Sequence, residues 1–216
     1  MAGLTDAPRT IKGGLVLVDP DSGTILRIIT LQYNPDALSR TFAVQSVSGE
    51  AGDRLDVLRL KGPPIETIKL EAELDATDPA QEPPVPVANG LEPQIAALET
   101  IVYPDSGTLR TNATLAQVGT LELTPQQTPL VLFVWSKSRI VPVRITELAV
   151  QEDAFDVNLN PLRAKISLTL RVLSVNDLPN DHRGTSLYLA YQQTKERFAA
   201  AAPRGTLADL GVQGIQ

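Results

Sequence analysis

The 216-residue chain has no cysteine, which excludes disulfides and thiolate metal sites. It has one histidine, His182, set among turn residues in "NDLPNDHRGTS". With no second His to join it, a multi-histidine metal site cannot form, and no Ser sits in a nucleophile-elbow pattern that this His could serve. Aromatic residues make up only 4% of the chain, so base-stacking or sugar-stacking platforms would have to be built from very few rings, which weakens RNA-binding and lectin readings. Basic charge is short too: 19 Lys and Arg against 25 Asp and Glu give a net charge of −6, with no basic cluster to attract nucleic acid. The longest apolar run, "LVLFVW" at 130–135, falls far short of the ~20 residues of a membrane span. The first residues, "MAGLTDAPRTIKGG", lack the apolar core of a signal peptide. Gly13-Gly14 and the other glycines match no phosphate-binding fingerprint, so no cofactor is expected. These absences argue against an enzyme, a nucleic-acid binder and a membrane-inserted protein.

What the chain does have is strand signal. "LVLVDPDSGTILRIITLQY" reads as two strands around Asp19-Pro20-Asp21-Ser22-Gly23, a turn-forming run. The second strand is apolar on both faces, with Ile25, Ile29 and Leu31 on one and Leu26 and Ile28 on the other. Such a strand is covered by its own domain or by a neighbouring subunit. In "IKLEAELD", Ile68, Leu70, Ala72 and Leu74 alternate with Lys69, Glu71, Glu73 and Asp75, the period of a half-buried strand. "RAKISLTLRV" repeats the pattern, with Ala164, Ile166, Leu168, Leu170 and Val172 inward. "PLVLFVW" and "IVPVRITELAV" form a hairpin turning at Lys137-Ser138, and Pro142 makes its second strand an edge or a bulged strand.

Two helices are expected. One starts at Leu91-Glu92, has Pro93 in its first turn and ends at Pro104. The other takes Thr185 or Ser186 as N-cap, with Leu187, Tyr191, Thr194 and Phe198 along one side. Residues 76–90 and 104–129 read as long loops. The chain is therefore mainly β: an antiparallel β-barrel or sandwich over 1–182 with one inserted helix, then a C-terminal helix and tail over 183–216.

Chemistry-bearing clusters are few. Glu152, Asp153 and Asp156 read as a charged, solvent-facing loop rather than as glycosidase carboxylates or a calcium loop, since EF-hand spacing is absent. Trp135, the only Trp, lies mid-hairpin and is expected in core packing or a subunit contact.

Three stretches carry a family likeness. In "LQYNPDALSRTF", Tyr33, Asn34 and Pro35 precede an acidic turn and Phe42. "ETIKLEAELDATD" is a strand ending in Leu-Asp and a Thr. In the block 129–170, an apolar strand ends at Trp135, a hairpin follows, and Phe155, Pro161, Arg163 and Ala164 lead into the alternating strand. By their order and spacing, over roughly residues 14–175, these resemble the tube-like proteins of contractile injection systems. The chain departs from that family in two places. Members often have Asp-Gly where this chain has Asn158-Leu159, and many carry a C-terminal LysM module for which 176–216 has no room. The resemblance implies a fold of the phage tail-tube type and a structural role. As a tube initiator or adaptor, a homohexameric ring would link the baseplate spike to the inner tube. Its partners would be its own copies, the inner tube protein, and spike and baseplate proteins, in a particle assembled in the bacterial cytoplasm. Residues to watch for a motif or interface role are Leu26, Ile28, Tyr33, Asn34, Pro35, Phe42, Trp135, Phe155, Pro161 and Arg163. Two other readings remain open: a monomeric β-sandwich binding a ligand or glycan beside Trp135, and, well below it, a hydrolase using the acids at 152–156.

Overall fold

The computed structural model describes residues 11–46, 59–78, 87–117 and 128–215. Along the chain run β1 (Gly14–Val18), β2 (Ile25–Thr30), β3 (Leu38–Ala43), β4 (Ile65–Asp75), α1 (Glu92–Val102) and α2 (Ser106–Gln117). They are followed by β5 (Leu130–Ser136), β6 (Arg139–Phe155), β7 (Pro161–Val172) and α3 (Arg183–Ala201). The protein is mainly β, and the two most strictly alternating segments are direct neighbours. β4 and β7 pair antiparallel from Thr67↔Arg171 to Asp75↔Arg163. Ile68, Leu70 and Ala72 lie opposite Leu170, Leu168 and Ile166, and all six are buried. Each fully buried Ile or Leu stabilises the fold by roughly 1.5–3 kcal/mol relative to exposure.

Seven strands form one antiparallel sheet in the order β2-β1-β5-β6-β7-β4-β3. The order is open: among the described residues β2 and β3 are edges and do not meet, so the sheet does not close into a barrel. The main core lies on one face, where Leu15, Val131, Phe133, Val141, Val143 and the inward residues of β4 and β7 pack with Leu98 of α1 and with Tyr188 and Tyr191 of α3. A smaller cluster of Val18, Leu130 and Leu132 packs with Leu173 and Leu187.

Three sequence expectations need correction. Pro142 lies in β6, a central strand, and is fully buried. It is tolerated because β6–β7 pairing begins one residue later, at Val143↔Val172, and its carbonyl still accepts from the Leu173 amide at 2.9 Å. A bulge does occur in this strand, between Ile145 and Glu147. Within the expected loop 104–129, Ser106–Gln117 is helical. The Asp105 carboxylate accepts from the Thr108 amide at 3.0 Å, as an N-cap does, and no residue of the helix is buried. α3 starts earlier than expected, with His182 as N-cap: its Nδ1 accepts from the Gly184 amide at 3.0 Å. Its buried side is accordingly Thr185, Tyr188 and Tyr191, while Phe198 is exposed. Helix α1 starts and stops where its prolines place it. Gly90, at φ +52°, precedes α1 where a Cβ would collide with the Pro161 carbonyl; that carbonyl accepts from the Leu91 amide at 2.8 Å.

α3 is held to the sheet by one buried carboxylate. Glu66 keeps the inward phase of β4 and is 3% exposed. Tyr191 Oη donates to its Oε1 at 2.9 Å, Lys195 Nζ donates to its Oε2 at 2.8 Å, and Arg40 of β3 lies 3.5 Å away. Lys195 also sits over the rings of Tyr191 and Phe42. Removing the carboxylate leaves the Tyr191 hydroxyl proton without its acceptor, with only the Arg40 contact at 3.2 Å remaining to its oxygen, and leaves unpaired two cations that are themselves part-exposed. Glu66→Ala should cost about 2 kcal/mol, a drop in Tm of about 4–8 °C for a chain of this size, read by thermal circular dichroism. An unchanged Tm would show that water replaces the carboxylate without loss.

Candidate interaction surfaces

The two sheet edges carry apolar side chains that nothing described covers. On β2, Ile25, Leu26 and Ile28 are 58%, 54% and 59% exposed. Leu26 and Ile28 are therefore not core residues. At the other edge, Phe42 of β3 and Val44 beyond it are also exposed. Bare edges with apolar residues are templates for pairing with another chain.

The stretch after β2 works as a clamp. Gln32 is buried and bonds the backbone of Asp75 twice: its Nε2 donates to the carbonyl and its Oε1 accepts from the amide, both at 2.8 Å. Tyr33 Oη donates to the Asp78 carboxylate at 2.6 Å. That bond, with the negative charge behind it, pushes the phenol up to about 12. Asn34 reaches the other way, accepting from the Gly13 amide at 2.9 Å and donating to the Ile11 carbonyl at 2.8 Å. Pro35 continues the loop, which overhangs the outward face of β4 and β7 and roofs a cavity of about 730 Å³.

That outward face is laid out in charged rows by the register. Arg163 lies between Asp75 and Asp153 and donates to the Asp75 carboxylate at 3.0 Å. The Thr77 hydroxyl and amide, and secondarily Arg163, hold the Asp75 carboxyl below its usual range. Lys165 lies between Glu73 and Gln151, and Thr169 donates to Glu147 at 3.2 Å. Rows this exposed add little stability, but they make a wet, mixed-charge concavity.

A third surface is the tip of the β6–β7 hairpin. The Asp156 carboxylate accepts from the Asn158 amide at 2.7 Å, the Asn160 amide at 2.9 Å and Asn160 Nδ2 at 2.8 Å, and these bonds lower its pKa. Leu159 is left-handed at φ +66°, at a cost of roughly 1–2 kcal/mol for a side chain with a Cβ. Despite that cost it points outward, 79% exposed, beside Val157 at 98%; Phe155 at the tip's base is half-exposed. The base is braced by buried Pro161 and by Asn160 Nδ2, which donates to the Ala88 carbonyl at 3.4 Å.

Trp135 is half-buried, stacked on Phe133 with centroids 6.0 Å apart, and packs against Gly13. It lines none of the four cavities of about 410 to 730 Å³ described among these residues. The structure thus gathers Tyr33, Asn34 and Pro35 around one cavity, sets Arg163 in an adjoining one that Tyr33 also lines, leaves Leu26, Ile28 and Phe42 on the two edges, and places Phe155 at the tip. Gln32 and Glu66 were not anticipated from the sequence. Glu66 had a signal, an acid in the apolar phase of "ETIKLEAELD"; Gln32 had none.

Leu26→Asp and Ile28→Asp should leave the monomer's Tm within about 2 °C while abolishing any self-association, measured by thermal melt and sedimentation velocity. Unfolding of either variant would return that face to the core. Tyr33 should ionise near pH 12, two units above an ordinary phenol, in a spectrophotometric titration, with Tyr33→Phe removing that step. The raised value means the stabilisation is complete below pH 10 and is lost as pH climbs through 12.

No protein-family model matches this chain, and no curated protein matches it.

Proposed function

We propose that this protein is a structural ring subunit of a phage-tail-like contractile injection system, an initiator or adaptor linking the baseplate spike to the inner tube. Its mechanism is assembly rather than catalysis. The observation that carries the reading is the open sheet with an apolar edge at each end of its strand order, joined to the family resemblance of residues 14–175. Strand directions alternate across the sheet, so β2 and β3 run the same way. A head-to-tail joint between copies would pair β3 of one with β2 of the next in parallel. Pairing of like edges would instead be antiparallel and would stop at a dimer. Repeated head-to-tail joints close a ring, and the resemblance sets its number at six. The mixed-charge concavity of β4 and β7 would then give the ring a wet lining.

The partners are further copies of the chain, the inner tube protein, and spike and baseplate proteins. Negative-stain electron microscopy and sedimentation of the full chain, alone and co-expressed with tube and spike proteins, should show rings that Leu26→Asp eliminates. A chain that remains monomeric and never joins tube or spike proteins would overturn the reading. No helix among the described residues is long and apolar enough to cross a membrane.

A further inference from the structure

We infer that the segment after α3, residues 203–215, is a strap that closes over the β3 edge of its own chain and must lift before that edge takes a neighbour. What the strap gates rests on the ring reading above; that it closes does not. α3 crosses the sheet from the β1 and β5 side to the β3 edge. Near its start Leu187 packs with Val18, Leu130 and Leu132, then Tyr188 and Tyr191 enter the main core, and Lys195 stands over the Phe42 ring of β3. From Lys195 to Ala201 the helix continues for about 9 Å, past the last strand of the sheet. Phe198 keeps the helical face of Tyr191, yet it is exposed where Tyr191 is buried, because the sheet has ended beneath it. The chain therefore leaves α3 beside an apolar patch of Phe42, Val44 and Phe198, all exposed.

The segment that follows is shaped by local rules. Thr206 and Asp209 cap one helical turn reciprocally, and left-handed Gly211 ends it. The Gly211 and Val212 amides donate to the Ala208 and Leu207 carbonyls, both at 3.0 Å. Nothing in the segment is buried, and it holds out Leu207, Leu210, Val212 and Ile215, with Leu210 76% and Ile215 84% exposed. Because the turn is already capped, docking it would forfeit little further order. The linker from Ala202 to Gly205 spans at most roughly 14 Å, so these side chains stay at high local concentration around the patch. Covering an edge with a loop is a standard protection against indiscriminate pairing, and β3 is the edge this segment can reach. A copy guarded in this way accepts no neighbour at β3 until the strap is displaced.

The chain has no cysteine, so introduced pairs report without background. Val44→Cys and Gln213→Cys in one chain should crosslink internally with a short bis-maleimide, giving a monomer of altered gel mobility. Adding Leu210→Asp and Ile215→Asp, which leaves the linker unchanged, should cut that product at least tenfold. Equal product with and without the acids would mean that the linker alone brings the cysteines together, and the inference would fall. It would fall too if product formed only between chains, in a mixture of singly substituted Val44→Cys and Gln213→Cys proteins. Deleting 203–216 should speed hydrogen exchange at the outward amides of β3 and lower the concentration needed for self-association in sedimentation velocity at least tenfold. Unchanged exchange at β3 would sink the idea as well. An internal, acid-sensitive crosslink in a chain that stays monomeric even after the deletion would leave the strap standing and remove the ring reading. Rings formed by a chain whose crosslink ignores the acids would do the reverse.

Discussion

The β4–β7 ladder sets the position of nearly everything else in the molecule. Its register presents one unbroken apolar face and one charged face, and a slip of a single residue would exchange them along the whole pair. On the apolar face α1 packs toward the Ala164 end, with Leu91 and Ile95, while α3 bonds Glu66 at the other end. β3 is added on one side and β6, β5, β1 and β2 on the other, so the ladder also fixes where the sheet stops. The clamp of Gln32 on Asp75 brings the chain leaving the β2 edge back to the end of β4, tying the two sides of the sheet together.

Alternation made β4 and β7 legible in the sequence because a two-residue period with charged partners has few other readings. Helix α1 was legible because prolines bracket it. What escaped was decided by partners far along the chain. Pro142 reads by local rules as the mark of an edge or a bulged strand; β6 is central and does bulge, between Ile145 and Glu147, and the proline sits where one ladder has not begun. Helix α2 buries nothing, so no apolar stripe advertised it, and its threonines, Asn112 and Gly107 weaken its propensity. His182 read as a loop residue because an imidazole is an uncommon N-cap. No local signal announced that Leu159 would take a left-handed backbone and face outward, since a leucine rarely does either.

The two edges are guarded unequally. Arg27 on β2 and Arg40 on β3 place charge among the apolar residues, a common defence against indiscriminate pairing. Arg40 is partly engaged by Tyr191 and Glu66, so β3 is stiffened from behind by α3. No corresponding brace appears behind β2 among the described residues. An asymmetric pair of edges, one supported and one bare, suits a joint between unlike strands better than one between like strands.

The sheet order also governs how the chain reaches its fold. Four of the six strand pairings join consecutive strands, but the two that unite them, β1 with β5 and β4 with β7, each span roughly a hundred residues. Closing such long loops before their contacts form makes folding slow. During synthesis the first four strands leave the ribosome with only hairpin partners, their inward leucines and isoleucines uncovered until the last third of the chain arrives. The β1–β2 hairpin is thus sticky twice: first along β1, whose open side waits for β5, and again along the β2 edge of the finished sheet. Yield in cells should therefore depend on chaperone supply during translation as much as on the stability of the finished sheet.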